Sequence, residues 1–506
     1  MTELATPEAT AGRHKGINEG NQLGCELGWN SELNRPYANI GIGAFLCKKR
    51  RKEMENFDKI VNLCKNRGFI FPGSEIYDGL ANTWDYGPVG VELKNNIKKS
   101  WWKTFVQRSK NSFGVDADIF MNSKVWEASG HTASFSDPKM DCKNCKTRHR
   151  ADNLIEEYSK GTANPDLMTN EEMEKYIADN HVKCPNCGKC DWTPIRNFNL
   201  MFSTSRGVTD EGQNLIYLRP ETAQGEFVNF LNVQRSMRAK VPFGIAQIGK
   251  AFRNEVTPGN FTFRTIEFEQ MEHQWFCKAE TAMDYYKEFK QKALDYLLSI
   301  GFNKDHLRYH DHDKLAHYAK AACDIQYLYP IGWEELNGIH HRGDWDLSRH
   351  QQFSGKSMAY LDPFTNEKFV PNVIEYSIGA DRLTLAVLCE AYEEQQLEND
   401  TRVVMHFHPA IAPYKVAVLP LQKQQSEKAN EVFAELSKHF MCTYDEAGSI
   451  GKRYRRQDEI GTPFCVTYDF DSDTDGCVTV RERDSMQQER IKIADLVSYV
   501  ENRIKL

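Results

Sequence analysis

From Phe243 to Phe276 two extended segments flank the turn-rich string Thr257-Pro258-Gly259-Asn260. A hairpin this long needs neighbouring antiparallel strands, which constrains the fold more than any other feature of the chain. A further extended stretch, Asn372 to Ser377, runs through Gly379 into an apolar helix ending near Glu390, and helical periodicity covers Ala279 to Ile300. After Asp85-Tyr86-Gly87-Pro88, the residues Leu93, Ile97, Trp101 and Phe105 recur every fourth position and put one apolar stripe on a long helix. Lys94, Lys98, Lys99 and Lys103 fill its other sides and read as a solvated face. The fold class expected is therefore α+β with an antiparallel sheet. From Ala412 the pattern changes: Tyr414 to Leu419 and Phe464 to Tyr468 read as buried strands and Ser426 to Phe440 as a helix. Residues 412–506 are expected to form a separate α/β unit with a parallel-type sheet.

The length of 506 residues implies roughly two to four domains. No apolar run approaches the ~20 residues a membrane helix needs, and no signal-peptide pattern opens the chain. A cytoplasmic location with no membrane association is expected. With 64 Lys and Arg against 71 Asp and Glu, a net charge of −7, any polyanion must be met by a local patch. Residues 1–53 lack either structural period and carry the basic run Lys48, Lys49, Arg50, Arg51, Lys52 near their end; they read as a disordered or spurious extension.

Cys142-x-x-Cys145 and Cys184-x-x-Cys187 are two knuckles with 38 residues between them. Such a pair can present four thiolates tetrahedrally, so Cys142, Cys145, Cys184 and Cys187 are expected to hold a structural Zn²⁺ in an insertion over about 139–191. Cys190 is a spare ligand, and four unrelated buried cysteines are the alternative.

Strand residues an even number apart share a face, so Arg253 pairs with Glu255, and Arg264, Phe268 and Glu272 project together. Burying charge is costly without partners, and two guanidinium groups, an aromatic ring and two carboxylates suit a charged planar ligand such as ATP. A solvated hairpin with cross-strand ion pairs is the other reading. Arg382 falls in the first turn of the helix after Gly379, where the dipole disfavours a cation unless a phosphate or a neighbouring carboxylate offsets it. The strings Arg219 to Gly225, Glu334-Glu335-Leu336 and His340-His341-Arg342-Gly343-Asp344 say less individually. His340, His341 and His350 read as incidental histidines rather than a second metal site. Lys452-Arg453-Tyr454-Arg455-Arg456 suits either RNA contacts or a solvated helix face.

These motifs occur in order from about Met54 to Leu506, and in them the sequence resembles the class II aminoacyl-tRNA synthetases, specifically the homodimeric glycyl-tRNA synthetases. The resemblance implies a class II catalytic domain over 54–411 and an anticodon-binding domain over 412–506. The helix after Gly87-Pro88 would be part of a dimer interface, with the partner covering its apolar stripe. An ATP site would comprise Arg253, Asn254, Glu255, Phe263, Arg264, Phe268, Glu335, Leu336, Gly379 and Arg382. Within it Arg253 would contact the α-phosphate and the amino-acid carboxylate, Glu255 the adenine amino group and Arg264 the γ-phosphate. Phe268 would lie beneath the adenine, and Arg382 would be the second catalytic cation. Glycine would meet Glu221, Glu272, Glu375 and Ser377, with Arg150 and Arg342 in support.

The activity so implied is ATP-dependent formation of glycyl-adenylate and transfer of glycine to the 3′ end of tRNA(Gly). Mg²⁺ would accompany ATP, and a second copy of the chain would be a partner. A catalytically altered paralogue that binds nucleic acid or regulates, and a tRNA-independent amide ligase, are rival readings. The chain departs from the family pattern at Gly259, Asn337, His340, His341, Gly343 and Tyr376, positions expected to line or flank the pocket.

Overall fold

A seven-stranded sheet organises the chain. The structure, a computed structural model, describes residues 55–160, 162–207, 214–255, 259–312, 315, 319–398 and 400–506. The segment 1–53 lies outside the described residues. Among the described residues no helix is long and apolar enough to cross a membrane.

In chain order the central elements are α1 (Pro88–Trp102), β1 (Ser112–Gly114), β2 (Phe243–Phe252), β3 (Glu267–Cys277), α2 (Ala282–Ser299), β4 (Leu307–Asp311), β5 (Ala321–Tyr329), β6 (Gly332–Gly343), β7 (Asn372–Gly379) and α3 (Ala380–Ala391). The sheet order is β4-β5-β6-β7-β3-β2-β1. All pairs are antiparallel except β1 with β2. The expected hairpin is β2–β3, in register from Phe243 opposite Phe276 to Phe252 opposite Glu267. Arg253, Glu255 and Arg264 stand beyond the strand ends, so the shared-face reasoning applies to Phe268 and Glu272 but not to Arg264. Residues 256–258 of the hairpin loop lie outside the described residues.

Both faces of β3 and β7 are largely buried. Odd-numbered Met271 and even-numbered Tyr376 and Ile378 join the main core with α1, α2 and α3, while Glu272, Glu375 and Ser377 point to the opposite face. A strand alternation of two residues thus separates a helix-covered core from a polar floor.

The α1 stripe overturns one expectation. Leu93, Ile97, Trp101 and Phe105 are fully buried inside the chain's own core, so no second copy is needed to cover them. Sheet residues such as Tyr376 supply the partner surface, because an amphipathic helix beside a sheet face buries its stripe there first. Lys94 is likewise not solvated: it is buried and bonds Asp381 of α3 at 2.6 Å and Glu269 of β3 at 3.1 Å.

The insertion folds as a small body of its own. Strand Ser136–Asp141 pairs with Arg148–Arg150 and Arg196–Asn199, and helices Ala151–Ser159 and Asn170–Asp179 pack on it through Met140, Leu154, Ile155, Met173 and Ile177.

Toward the C-terminus a five-stranded sheet runs Cys442–Tyr444, Val416–Pro420, Phe464–Tyr468, Cys477–Glu482, Gln488–Lys492. The first three strands are parallel and the last two antiparallel, so the sheet is mixed. Helix Ile450–Ile460 carries the cluster Lys452 to Arg456, and most of it is spoken for. Arg453 is buried against the Pro420 and Leu421 carbonyls, Tyr454 bonds Thr467 at 2.7 Å, and Arg455 and Arg456 pair with Asp400 and Asp445. Neither the RNA reading nor the solvated-face reading anticipated these internal bonds.

Candidate active site

One cavity on the open face of the sheet gathers most of the residues the sequence singled out. It is lined by Arg253, Glu255, Phe263, Arg264, Phe268, Glu335, Leu336, Gly379 and Arg382, and also by Glu221, Glu272, Arg342, Glu375 and Ser377. Two expected residues stand apart. Asn254 is exposed and is held through its backbone N–H, which donates to Leu200 O. Arg150 pairs with Asp152 at 2.5 Å and Asp137 at 3.1 Å and lines a neighbouring cleft with Glu255 and Arg264.

The cavity has two electrostatic poles. At one, the Arg253 guanidinium lies 5.4 Å from the Phe268 ring centroid and its Nε donates to Pro220 O at 3.0 Å. Arg264 stands 3.6 Å from Glu255. Arg382 lies over Phe263 at 4.4 Å and meets the Glu335 carboxylate at 3.3 Å. Three guanidinium groups edged by two rings form a surface for a polyanion that carries a flat group. Gly379 has an ordinary φ of −74°, and a Cβ there would meet Arg382 Cβ at 3.5 Å and its backbone nitrogen at 4.0 Å, both ordinary contacts. Its missing side chain therefore serves cavity space rather than the backbone.

The other pole is anionic. Glu272 and Ser377 face each other across β3 and β7, with Ser377 Oγ donating to Glu272 Oε1 at 3.2 Å and Thr222 Oγ1 to Oε2 at 2.6 Å. Glu375 accepts from Gln274 at 2.9 Å, from His340 Nδ1 at 2.8 Å and from Arg342 at 3.2 Å. Arg342 is clamped in turn by Asp346 at 2.7 Å. Glu221 lies 3.4 Å from His131 and accepts from Gln224 at 2.9 Å.

The three carboxyl groups here, Glu272 and Glu375 buried and Glu221 half-buried, divide by partner. Burial, then Glu375 and Glu221, push Glu272 up to about 8. Burial also opposes ionisation of Glu375, but Arg342 and His340 outweigh it and hold the group down at about 2. Glu221 is held well below the usual carboxylate range because His131 and Arg342 overcome its burial. Two fixed anions beside one proton-sharing carboxyl make a receptor for a small cation.

Sequence reasoning missed Thr222, Gln270 and Asp381 as site residues. Gln270 was reachable, since it lies two residues from both Phe268 and Glu272. The expected departures from the family pattern divide sharply. His340 lines the cavity and Gly259 the neighbouring cleft. Tyr376 faces the opposite side of the sheet and stacks on Phe105. Asn337 and His341 are buried, the former donating to Ser377 O and the latter accepting from the Gly343 N–H. An inward turn of the strand residue, not substrate contact, accounts for Tyr376.

In the insertion the Sγ atoms of Cys142, Cys145, Cys184 and Cys187 all lie within 4.8 Å of one another. Cys142 to Cys187 is 3.5 Å and Cys145 to Cys184 is 3.6 Å. Thiolates about 2.3 Å from a tetrahedral Zn²⁺ stand about 3.8 Å apart, so this donor set fits that ion. Cys190 is excluded as a spare ligand: it is exposed and turned to the His181 carbonyl.

Comparison with known proteins gives the family. Residues 202–392 match the tRNA synthetase class II core domain (G, H, P, S and T), and residues 415–503 match the anticodon binding domain. A glycine–tRNA ligase of Clostridium perfringens is 59% identical over 462 residues, covering 89% of this chain and 99% of its own length. The chain belongs to the glycine–tRNA ligase family. The ligase of Clostridium acetobutylicum is 59% identical over 461 residues, 90% of this chain and all of its own, and that of Bacillus cereus 58% over 457 residues, 89% and all.

Proposed function

We infer that the chain is a glycine–tRNA ligase that makes glycyl-adenylate from glycine and ATP and then passes glycine to the 3′-terminal hydroxyl of tRNA(Gly). One observation carries the reading. A single cavity holds three guanidinium groups with aromatic rings at one end and three carboxyl groups at the other, which suits ATP and glycine laid end to end.

Glycine's carboxylate attacks the α-phosphate and pyrophosphate leaves. Arg253 and Arg382 stabilise the charge that develops, Arg264 and Glu255 hold the phosphate tail and the adenine edge, and Phe268 underlies the purine. Mg²⁺ enters with ATP and screens its phosphates. Glu272, Glu375 and Glu221, with Ser377, receive the ammonium group, and Arg342 fixes Glu375 through a pair of hydrogen bonds. Carboxyl groups crowded around the Cα leave little room for a larger side chain. Arg150 and Asn254 act from outside the cavity.

The four cysteines hold a structural zinc, and residues 412–506 contact the tRNA anticodon. The chain works in the cytoplasm as a homodimer. Support for the second copy comes from Ile76, Tyr77 and Leu80, an exposed apolar patch in the loop before α1. Glycine-dependent exchange of pyrophosphate into ATP tests the central reading. Arg253→Ala is expected to abolish it, and near-normal exchange in that variant overturns the assignment.

A further inference from the structure

His340 is one of the positions at which the chain departs from the family pattern, and it is the histidine of the anionic pole nearest an ammonium-facing carboxylate. It sits directly across from Glu375 in the β6–β7 pairing, with Nδ1 donating to Glu375 Oε1 at 2.8 Å. Its ring is laid over Gly338, where a Cβ would come within 2.8 Å of the imidazole. Gly338 in turn faces Ser377 across the same pair of strands. The imidazole is thereby flanked by two of the groups assigned to glycine's ammonium, and about a quarter of its side chain remains open to the cavity.

We propose that His340 is a positioning residue that competes with glycine's ammonium for Glu375, so that its protonation weakens glycine binding. This rests on the glycine reading of the anionic pole. A neutral imidazole donates one hydrogen bond and leaves the carboxylate's charge to the ligand. An imidazolium adds a second cation to a carboxylate that Arg342 already neutralises, and a third cation is then less welcome.

The surroundings favour the charged form. Burial works against protonation of His340, but the bond to Glu375 and the charge of Glu375 prevail and raise its pKa. The charged and titratable groups facing it are Glu375 on β7, Asp324 on β5, Arg342 and Glu335 on β6, and His312 after β4. His312 itself is bonded to Asp324 at 2.7 Å. The carboxylates outnumber the cations around this ring, so the proton is retained at higher pH than on a free histidine.

The test compares glycine-dependent pyrophosphate exchange by the full-length chain, His340→Ala and His340→Gln from about pH 6 to about pH 8, the range over which histidine charge changes. KM is measured for glycine and for ATP. In the parent chain KM for glycine is expected to rise as pH falls, while KM for ATP stays level. In His340→Ala the KM for glycine near pH 6 is expected to drop by up to about tenfold, the ratio corresponding to one pKa unit. Mere structural damage would raise it instead. The glutamine variant keeps a neutral donor for Glu375 and should show the same drop, which covers the case in which the alanine variant fails to fold; the pH dependence left in both variants is that of Glu272, whose value of about 8 falls in the same range. A glycine KM that follows the parent's pH curve in both variants overturns the proposal. Absence of glycine-dependent exchange in the parent chain overturns the glycine reading instead.

Discussion

Phe105 and Tyr376 lie face to face, with ring centroids 4.3 Å apart and planes 19° apart. Trp101 stacks on the same tyrosine at 6.2 Å. Helix α1 and the turn Lys103–Gln107 that continues it therefore spend their aromatic surface on the sheet, and Tyr376 is a core residue beneath the cavity rather than part of its wall. Tyr376→Ala is expected to cost about 3–5 kcal/mol of stability, as truncating a buried aromatic does. KM for glycine in the folded enzyme should be unaltered. Urea unfolding and the exchange assay read the two quantities, and a shifted glycine KM at unchanged stability contradicts the placement.

Glu272 couples folding to pH. Its folded value of about 8 lies above the ordinary 4.5, because of burial first and then the charges of Glu375 and Glu221. Between those values the folded chain keeps a proton that the unfolded chain has released. Stability is thus fully present below the ordinary value and declines as pH rises through the window. Glu272→Gln removes the titration and is expected to flatten Tm against pH over that range. Parallel curves for the two proteins would show that Glu272 does not titrate there.

Glu226 does not line the cavity, so no ligand contact accounts for its burial. It is fully buried in helix Ala223–Val228, and neither carboxyl oxygen has a proper hydrogen bond. Burial, with Glu272 and Glu375 adding, raises its pKa well above the usual range. Glu226→Leu removes an unsatisfied polar group and is expected to stabilise the chain by about 1–3 kcal/mol. Thermal unfolding measures this, and a lower Tm would mean that the carboxyl has a partner the leucine cannot replace.

Metal content is directly measurable. About one zinc ion per chain is expected at the Cys142, Cys145, Cys184, Cys187 cluster. Cys145→Ser or a strong chelator should remove it and open residues 139–191 to protease while the central sheet stays folded. Full metal content in Cys145→Ser would rule out that ligand set.

Asp458 joins two parts of the fold. It takes Arg402 at 2.8 Å and Arg481 at 2.9 Å, all three being buried. Asp458→Asn leaves two guanidinium groups without their counter-charge and is expected to cost about 3–5 kcal/mol. Lys452→Ala, on the exposed face of the same helix, should cost almost nothing. Equal stability losses in the two variants would show that burial of the pair is not what matters.

Much of the site was legible because its chemistry is local. Phe268 and Glu272 share a face by strand alternation alone, and two Cys-x-x-Cys knuckles imply a four-thiol cluster wherever the chain carries them. Arg150 was misjudged because a guanidinium's destination depends on which carboxylates the fold brings to it, here Asp137 and Asp152. The same holds for Lys94 and for Arg453, which look like surface cations in sequence and are buried against partners distant along the chain.

By itself the amino-acid order determined the hairpin, the helix periodicity, the metal knuckles and the charge types available, since each depends on neighbours within a few residues. Tertiary structure decided which face of each strand meets helices and which faces the cavity, where the α1 stripe finds its cover, and that His340 rather than Tyr376 borders the pocket. Those outcomes turn on pairing between residues far apart in the chain, such as Glu375 with His340 and Phe105 with Tyr376, and only the closed sheet brings them within reach.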